Sequence, residues 1–221
     1  MGNGNSKMKK PTYYRTLFVS KWLPPMYDFW VSIGVLGNTK ALREKILSFI
    51  PENPKIIIDL ACGTGEAALL LKKEYPNSRV LASDLSEGML KQIQRKAVKQ
   101  NIEIEISLQD AVHTSYSSNI ADTVIISFAI HDLPHTQRLL VMKEAYRLLK
   151  KGGVFIIYEY HMPQFPLFRL PIYIQFFLVE NKEAWGIFTE PLQEELSQIG
   201  FTQTKKRTFF KGLAQIVAGI K

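Results

Sequence analysis

Two aspartates, Asp59 and Asp84, stand at the ends of apolar runs and bracket a turn built of small residues. The first run, Ile56-Ile57-Ile58-Asp59-Leu60, passes into Ala61-Cys62-Gly63-Thr64-Gly65-Glu66. Glycines there let the backbone approach a ligand closely, and a helix opening near Gly65 presents unpaired N–H groups to it. Gly63-Thr64-Gly65-Glu66-Ala67-Ala68 fits a dinucleotide pattern with alanine in third place. Asp84 lies about twenty residues on, where a ribose-binding acid belongs. The glycine pattern alone does not choose the ligand; Asp59 does. A carboxylate at the strand end repels a pyrophosphate seated on the loop, whereas it accepts charge-assisted hydrogen bonds from the ammonium group of an amino acid. A ligand with an α-amino acid at one end and a ribose at the other suits both aspartates.

A second cluster follows the fourth apolar run, in Ser127-Phe128-Ala129-Ile130-His131-Asp132-Leu133-Pro134. His131 is the candidate general base, since an imidazole changes charge near neutrality. Asp132 and His135 lie beside it, and Tyr160 and His161 past the next run are further candidates. Other chemistries lack their residues. Cys62 is the one cysteine, so neither an intramolecular disulfide nor a thiolate metal cluster can form. No Gly-Lys-Ser/Thr follows a glycine loop, which argues against a Walker-type phosphate site.

The elements that must carry these residues alternate. Strands are expected over 55–60, 79–84, 102–108, 121–128 and 154–160, and helices over 66–75, 87–100 (with Ser86 as N-cap) and 136–150. Gly152-Gly153 is read as the end of the third of these helices and the turn into strand five. Alternation at this spacing argues for parallel strands joined by right-handed crossovers. A helix over 190–199 and strands over 201–208 and 213–220, separated by Lys211-Gly212, should close the chain as an antiparallel hairpin. Ahead of the sheet, residues 12–36 are rich in aromatics and broken by Pro24-Pro25, and a helix is expected over 39–49.

Of 221 residues, 46% are hydrophobic and 22% charged, so a single well-packed domain is affordable. The net charge of +8 predicts a basic surface. The basic residues are scattered and no nucleic-acid motif accompanies them, so no nucleic-acid partner is expected. The polar start of the chain lacks the apolar stretch of a signal peptide, and no run is long enough for a spanning helix. A cytoplasmic protein is expected. The apolar residues Phe165, Leu167, Phe168, Leu170, Ile172, Tyr173, Ile174, Phe176, Phe177 and Leu178 need a partner, and peripheral membrane contact is one of the open choices.

Five blocks occur in order: Asp59 to Gly65, Asp84-Leu85-Ser86-Glu87-Gly88-Met89-Leu90, Gln109-Asp110-Ala111, Ala121-Asp122-Thr123-Val124 and Leu148-Leu149-Lys150-Lys151-Gly152-Gly153. Together they resemble the class I S-adenosylmethionine-dependent methyltransferases, most of all the group that includes the ubiquinone and menaquinone biosynthesis C-methyltransferases. The resemblance runs from about residue 56 to 160, and more loosely through the final hairpin. It implies an α/β fold, a doubly wound, seven-stranded, mostly parallel Rossmann-like sheet with a C-terminal antiparallel hairpin. It also implies S-adenosyl-L-methionine as cofactor, a ligand that carries both an amino acid and a ribose.

By the same resemblance, Asp59 and the backbone around Ala61, Gly63 and Gly65 hold the methionine end, and Asp84 takes the ribose hydroxyls. Leu85 and Met89 flank the adenine, Asp110 and the Ala111 N–H meet its polar edge, and Ser127 or Phe128 lies near the sulfonium. For Asp110 a plain turn and for Met89 a core position remain open. The implied organisation is a mobile basic tail (1–11), a helical and aromatic cap (12–50) and a methyltransferase domain (51–221) with an apolar lid insertion (161–188). Tyr27 and Trp30 are the preferred residues lining the acceptor site. The implied activity is methyl transfer to a small lipophilic or aromatic acceptor. Alternatives are methyl transfer to nucleic acid or protein, or an NAD-dependent oxidoreductase. Residues 127–134 depart from the strand-four segment of the quinone enzymes, and the Asn/Asp-Pro-Pro-aromatic motif of DNA amino-group methylation is absent there.

Overall fold

The computed structural model describes residues 45–178, 183–189 and 191–221. The tail expected over 1–11 and most of the cap expected over 12–50, with Tyr27 and Trp30, lie outside the described residues. Of the helix expected over 39–49, residues 45–47 are described as helical.

Apolar runs form five parallel strands: β1 (Ile56–Leu60), β2 (Arg79–Asp84), β3 (Glu105–Leu108), β4 (Ala121–Ser127) and β5 (Leu149–Tyr160). Helix α1 (Glu66–Glu74) links β1 to β2, α2 (Glu87–Gln100) links β2 to β3, and α3 (His135–Leu148) links β4 to β5. In β1 the side chains of Ile57 to Leu60 are all buried, the pattern of a strand covered on both faces. The hairpin of β6 (Thr202–Phe209) and β7 (Ala214–Ile220) adds antiparallel to β5, giving the order β3-β2-β1-β4-β5-β7-β6. This is the seven-stranded, mostly parallel sheet expected. Lys205, Lys206 and Arg207 are exposed on β6, where charge blunts an edge strand against pairing with other chains. The chain steps outward from β1 to β3 and then returns to β4 on the other side of β1. Such a reversal opens a crevice at the carboxyl ends of the two central strands.

Two boundaries are corrected. The alternation of Ile102, Ile104, Ile106 and Leu108 predicts a strand from 102, yet β3 begins at Glu105. Asn101 caps α2 in the left-handed conformation (φ 52°), its N–H on the Ala97 and Val98 carbonyls, and the next residues are spent leaving that cap. Gly152-Gly153 is not a helix cap either. Helix α3 stops at Leu148, and Leu149 is already extended and paired with Ala121. Gly152 (φ 82°) lies inside β5, its N–H donating to the Lys221 carbonyl at 2.8 Å, beside a register irregularity between Ala121 and Thr123.

After β5 come a turn (Pro166–Arg169), α4 (Leu170–Leu178), a turn (Glu183–Phe188) and α5 (Leu192–Ile199). Ile172, Ala184 and Ile187 are buried in the common core, and Tyr173 stacks on Trp185 at 5.8 Å. Phe165, Leu170, Ile174 and Phe177 are exposed, so this segment is part core and part apolar surface. No helix among the described residues is long and apolar enough to cross a membrane.

Candidate active site

The loop leaving β1 coils tightly because Ala61 (φ 51°), Gly63 (φ 54°) and Gly65 (φ 80°) all take the left-handed conformation. Gly65 is required twice over: a Cβ there would sit 2.2 Å from the Ile93 side chain, so its absence lets α1 settle on α2. The loop is lashed to β2. The Cys62 N–H donates to the Ser83 carbonyl at 2.9 Å, and the Gly63 N–H to Asp84 Oδ2 at 2.8 Å. Asp84 Oδ1 accepts from the Ser86 N–H at 2.7 Å. A carboxylate offers about four lone-pair sites and no donor, so Asp84 is of the acceptor type that ribose hydroxyls require.

Asp59 is the anomaly. It is 1% exposed, and among the described residues neither carboxylate oxygen has a hydrogen-bond partner of ordinary geometry. Burial first, and the charge of Asp84 second, push its pKa up to about 8, against a weaker pull from the Ala68 N–H. A buried, unpaired carboxylate is costly unless a cation compensates it. An α-ammonium group supplies both a positive charge and several N–H donors. The amino-acid end of S-adenosylmethionine therefore fits Asp59, and its ribose fits Asp84.

The other expected contacts line the same edge. Register pairs Asp84 with Leu108, one residue before the Gln109-Asp110-Ala111 block, and Leu60 with Ile126, one residue before Ser127. Asp110 Oδ1 accepts from the Val112 N–H at 3.1 Å and its carbonyl from the His113 N–H at 3.1 Å, so it also serves as a turn residue. Leu85 and Ala111 are half-buried, while Met89 is buried. The Met89 N–H donates to Ser86 Oγ at 3.3 Å in the expected N-cap. The Ser127 hydroxyl is buried with no hydrogen-bond partner among the described residues.

On the β4–β5 side the chain makes a different structure. Phe128 takes φ 48°, a conformation costing a non-glycine residue about 1–3 kcal/mol. Its N–H donates to the Tyr158 carbonyl at 2.8 Å, and its ring lies 4.5 Å from that of Tyr158 and 4.7 Å from that of Tyr160. The turn Ile130–Asp132 then folds His131 onto β5. His131 Nδ1 is 2.8 Å from Glu159 Oε1, and the His131 N–H donates to Oε2 at 3.3 Å. The Tyr160 N–H also donates to Oε1, at 2.8 Å. His131 is 4% exposed and Glu159 wholly buried. Asp132 Oδ2 stands 3.7 Å from His131 Nε2, and the Tyr160 ring meets the imidazole edge-on at 5.1 Å. The turn Glu183–Phe188 packs against this one.

The remaining candidates belong to other networks. His135 joins Glu195 at 3.2 Å, the carboxylate that also receives Arg138 at 2.9 Å and so ties α3 to α5. His161 Nδ1 lies 2.9 Å from the Gly212 carbonyl, and burial lowers its pKa. Asp122, inside a recognised block, works at the opposite end of the sheet. It accepts from the Lys55 and Ile56 amides, each at 2.8 Å, and from Lys150 Nζ at 2.7 Å. Burial works to raise its pKa, but these donors hold it below the usual value. Glu159 is the residue that sequence reasoning missed. Its signal was there: a carboxylate inside Phe155-Ile156-Ile157-Tyr158-Glu159-Tyr160 breaks an otherwise apolar central strand.

Comparison with known proteins bears on the family and the fold. Residues 57–153 match the family model described as a methyltransferase domain. The demethylmenaquinone methyltransferase of Thermus thermophilus is 30% identical over 155 residues, covering 70% of each chain. That of Bacteroides fragilis is 26% identical over 220 residues, covering 90% of this chain and 89% of the relative. Among solved structures, the Haemonchus contortus phosphoethanolamine N-methyltransferase 2 in complex with S-adenosyl-L-methionine superposes with a TM-score of 0.69 at 16% identity, a likeness of fold. The match covers 96% of this chain but 60% of that longer one. The chain belongs to the class I S-adenosylmethionine-dependent methyltransferases, in the ubiquinone/menaquinone biosynthesis group.

Proposed function

We propose that this methyltransferase acts on a small lipophilic aromatic acceptor of the quinol type, and that Asp59, Asp84 and His131 carry the reaction. The observation behind the acceptor is the buried aromatic cluster of Phe128, Tyr158 and Tyr160, with His131 beside it at the carboxyl ends of β4 and β5. The names of the relatives point the same way. S-adenosylmethionine supplies an electrophilic methyl on sulfur, which leaves with its bonding electrons returned to a neutral thioether. Asp59 anchors the amino-acid end, the backbone of Ala61, Gly63 and Gly65 follows its contour, and Asp84 accepts from the ribose hydroxyls. Leu85, Met89, Asp110 and Ala111 belong to the adenine end, and Ser127 to the sulfonium.

The protein contributes alignment of donor and acceptor, which is worth about 7–11 kcal/mol of a barrier. His131 adds proton transfer. It takes the proton of an acceptor hydroxyl, and the electron pair so released makes the oxygen, or the ring carbon beside it, nucleophilic toward the methyl. On carbon, the ring hydrogen then leaves as a proton to restore the aromatic ring. The described apolar segment that follows β5 is the lid of the acceptor site and excludes water from it. The exposed apolar residues of α4 are the face through which a bilayer-dissolved acceptor enters. Incubation with methyl-labelled S-adenosylmethionine and a panel of short-chain naphthoquinol, benzoquinol, a thiol and an amine tests the assignment. Label in a quinol supports it; label only in the thiol or the amine overturns it.

A further inference from the structure

Glu159 touches His131 in a way that fixes the proton on one ring nitrogen. The Glu159 carboxylate accepts from two backbone N–H groups, those of His131 and Tyr160, and its Oε1 lies 2.8 Å from the ring Nδ1. A carboxylate has no hydrogen to donate, so toward Glu159 Oε1 the ring Nδ1 is the donor. In a neutral imidazole that leaves Nε2 with the lone pair, and only Nε2 can then take up a proton. Asp132 Oδ2 stands 3.7 Å from Nε2, beyond hydrogen-bond reach. The pair is built into the sheet itself. Glu159 is opposite Gln215 of β7, whose Nε2 donates to the Tyr160 carbonyl at 2.9 Å, so the strand segment under the imidazole is tied on both sides.

The geometry points to Glu159 as a positioning residue of the methyl-transfer site: it holds His131 as the Nδ1–H tautomer, with Nε2 as the proton acceptor. This rests on the proposed role of His131 as base. When the acceptor O–H gives its proton to Nε2, the ring becomes an imidazolium that keeps both hydrogens. The buried carboxylate stabilises that cation, and the proton leaves to solvent after methyl transfer.

Nitrogen-15 spectra of the histidine rings in the full-length protein, with and without S-adenosylhomocysteine, read the tautomer directly. The wild-type His131 ring is expected as Nδ1–H. In Glu159→Gln it should shift to a mixture or to Nε2–H, and kcat toward a short-chain naphthoquinol should fall at least tenfold with cofactor affinity within twofold. Glu159→Asp, which keeps the charge, should recover part of kcat. A wild-type ring protonated on Nε2, or a Glu159→Gln protein with unchanged tautomer and kcat, overturns the inference. The wild-type spectrum decides even if the variants do not fold. His131→Asn separates the two layers, because its amide N–H can replace Nδ1–H on Glu159 while Nε2 is removed. An Nδ1–H wild-type ring together with full turnover in His131→Asn overturns the base assignment, and with it the catalytic meaning of Glu159.

Discussion

Asp59 on β1 and Glu159 on β5 are both acidic residues near the carboxyl ends of central strands, and both are buried. Glu159 receives two backbone N–H groups and lies against the His131 ring, whereas Asp59 has no hydrogen-bond partner of ordinary geometry among the described residues. Asp59 also faces a second carboxylate, Asp84, whose charge adds to the effect of burial. The two regions are thus prepared in opposite ways. Around Glu159 the protein's own groups meet the buried carboxylate, so this part of the β4–β5 side stands without a ligand. The β1–β2 side is electrostatically incomplete and stores a penalty that a cationic ligand relieves on binding. In the proposed site, binding free energy on this side would come from repairing that fault.

The most damaging way to break this comparison is Asp59→Asn. Charge-assisted hydrogen bonds are worth about 1.5–3 kcal/mol each, so affinity for S-adenosylhomocysteine should fall by about a hundredfold or more. The ligand-free variant should nevertheless be more stable than the parent at pH 8. The sign follows from linkage: the folded pKa of about 8 lies above the 3.8 of an ordinary aspartate, so the folded form binds more protons than the unfolded form in between. Stability from this group is present below the unfolded value and is lost as pH rises through the folded one. Melting curves at pH 5 and pH 8 check it. A wild type that loses nothing relative to Asp59→Asn over that range would mean Asp59 is already compensated.

The same carboxyl predicts the pH dependence of binding. Below about pH 8 the cofactor's ammonium must displace a proton from Asp59, so affinity should rise with pH by up to about tenfold per unit and then level off. Calorimetry at pH 6.5 in two buffers of different ionisation enthalpy should show release of up to one proton. Proton uptake, or no exchange at all, contradicts an Asp59–ammonium contact. Asp84→Ala should do less. It removes ribose acceptors and frees the Gly63 and Ser86 amides, and affinity should drop at least tenfold in a folded protein. Unchanged affinity would assign the ribose elsewhere.

Strand order and helix placement were legible because each central strand is a compact apolar run and each crossover helix has the length its period implies. β3 was overread because alternating isoleucines continue past the point where the Asn101 cap has turned the chain. Gly152-Gly153 misled because glycine after a helix usually caps it, whereas here the strand pairing of Leu149 with Ala121 ends the helix first. Within the site, Asp59 and Asp84 could be found since loop chemistry is local in sequence. The Glu159–His131 pair could not, because its members are 28 residues apart and meet only through the parallel pairing of β4 with β5. Asp122 shows the converse: a residue in a family block can serve the opposite end of the sheet.

The smallest expected effect is the one that sharpens the comparison most. If one side is incomplete and the other closed, a change on the closed side should leave the donor side untouched. His131→Asn is the suitable substitution, because His131→Ala would strand the buried Glu159 carboxylate and cost about 1–3 kcal/mol of stability for reasons unrelated to catalysis. Asp59 has no hydrogen-bond partner of ordinary geometry among the described residues to share with His131, and the two residues stand on different elements. Independent sites add within about 0.3–0.5 kcal/mol, so cofactor affinity in His131→Asn should stay within about twofold of wild type while turnover of a quinol acceptor falls. The double variant with Asp59→Asn should show the sum of the two single effects on affinity. A coupling clearly above that range would mean that the imidazole helps to hold the cofactor, and the two sides would then be one continuous network.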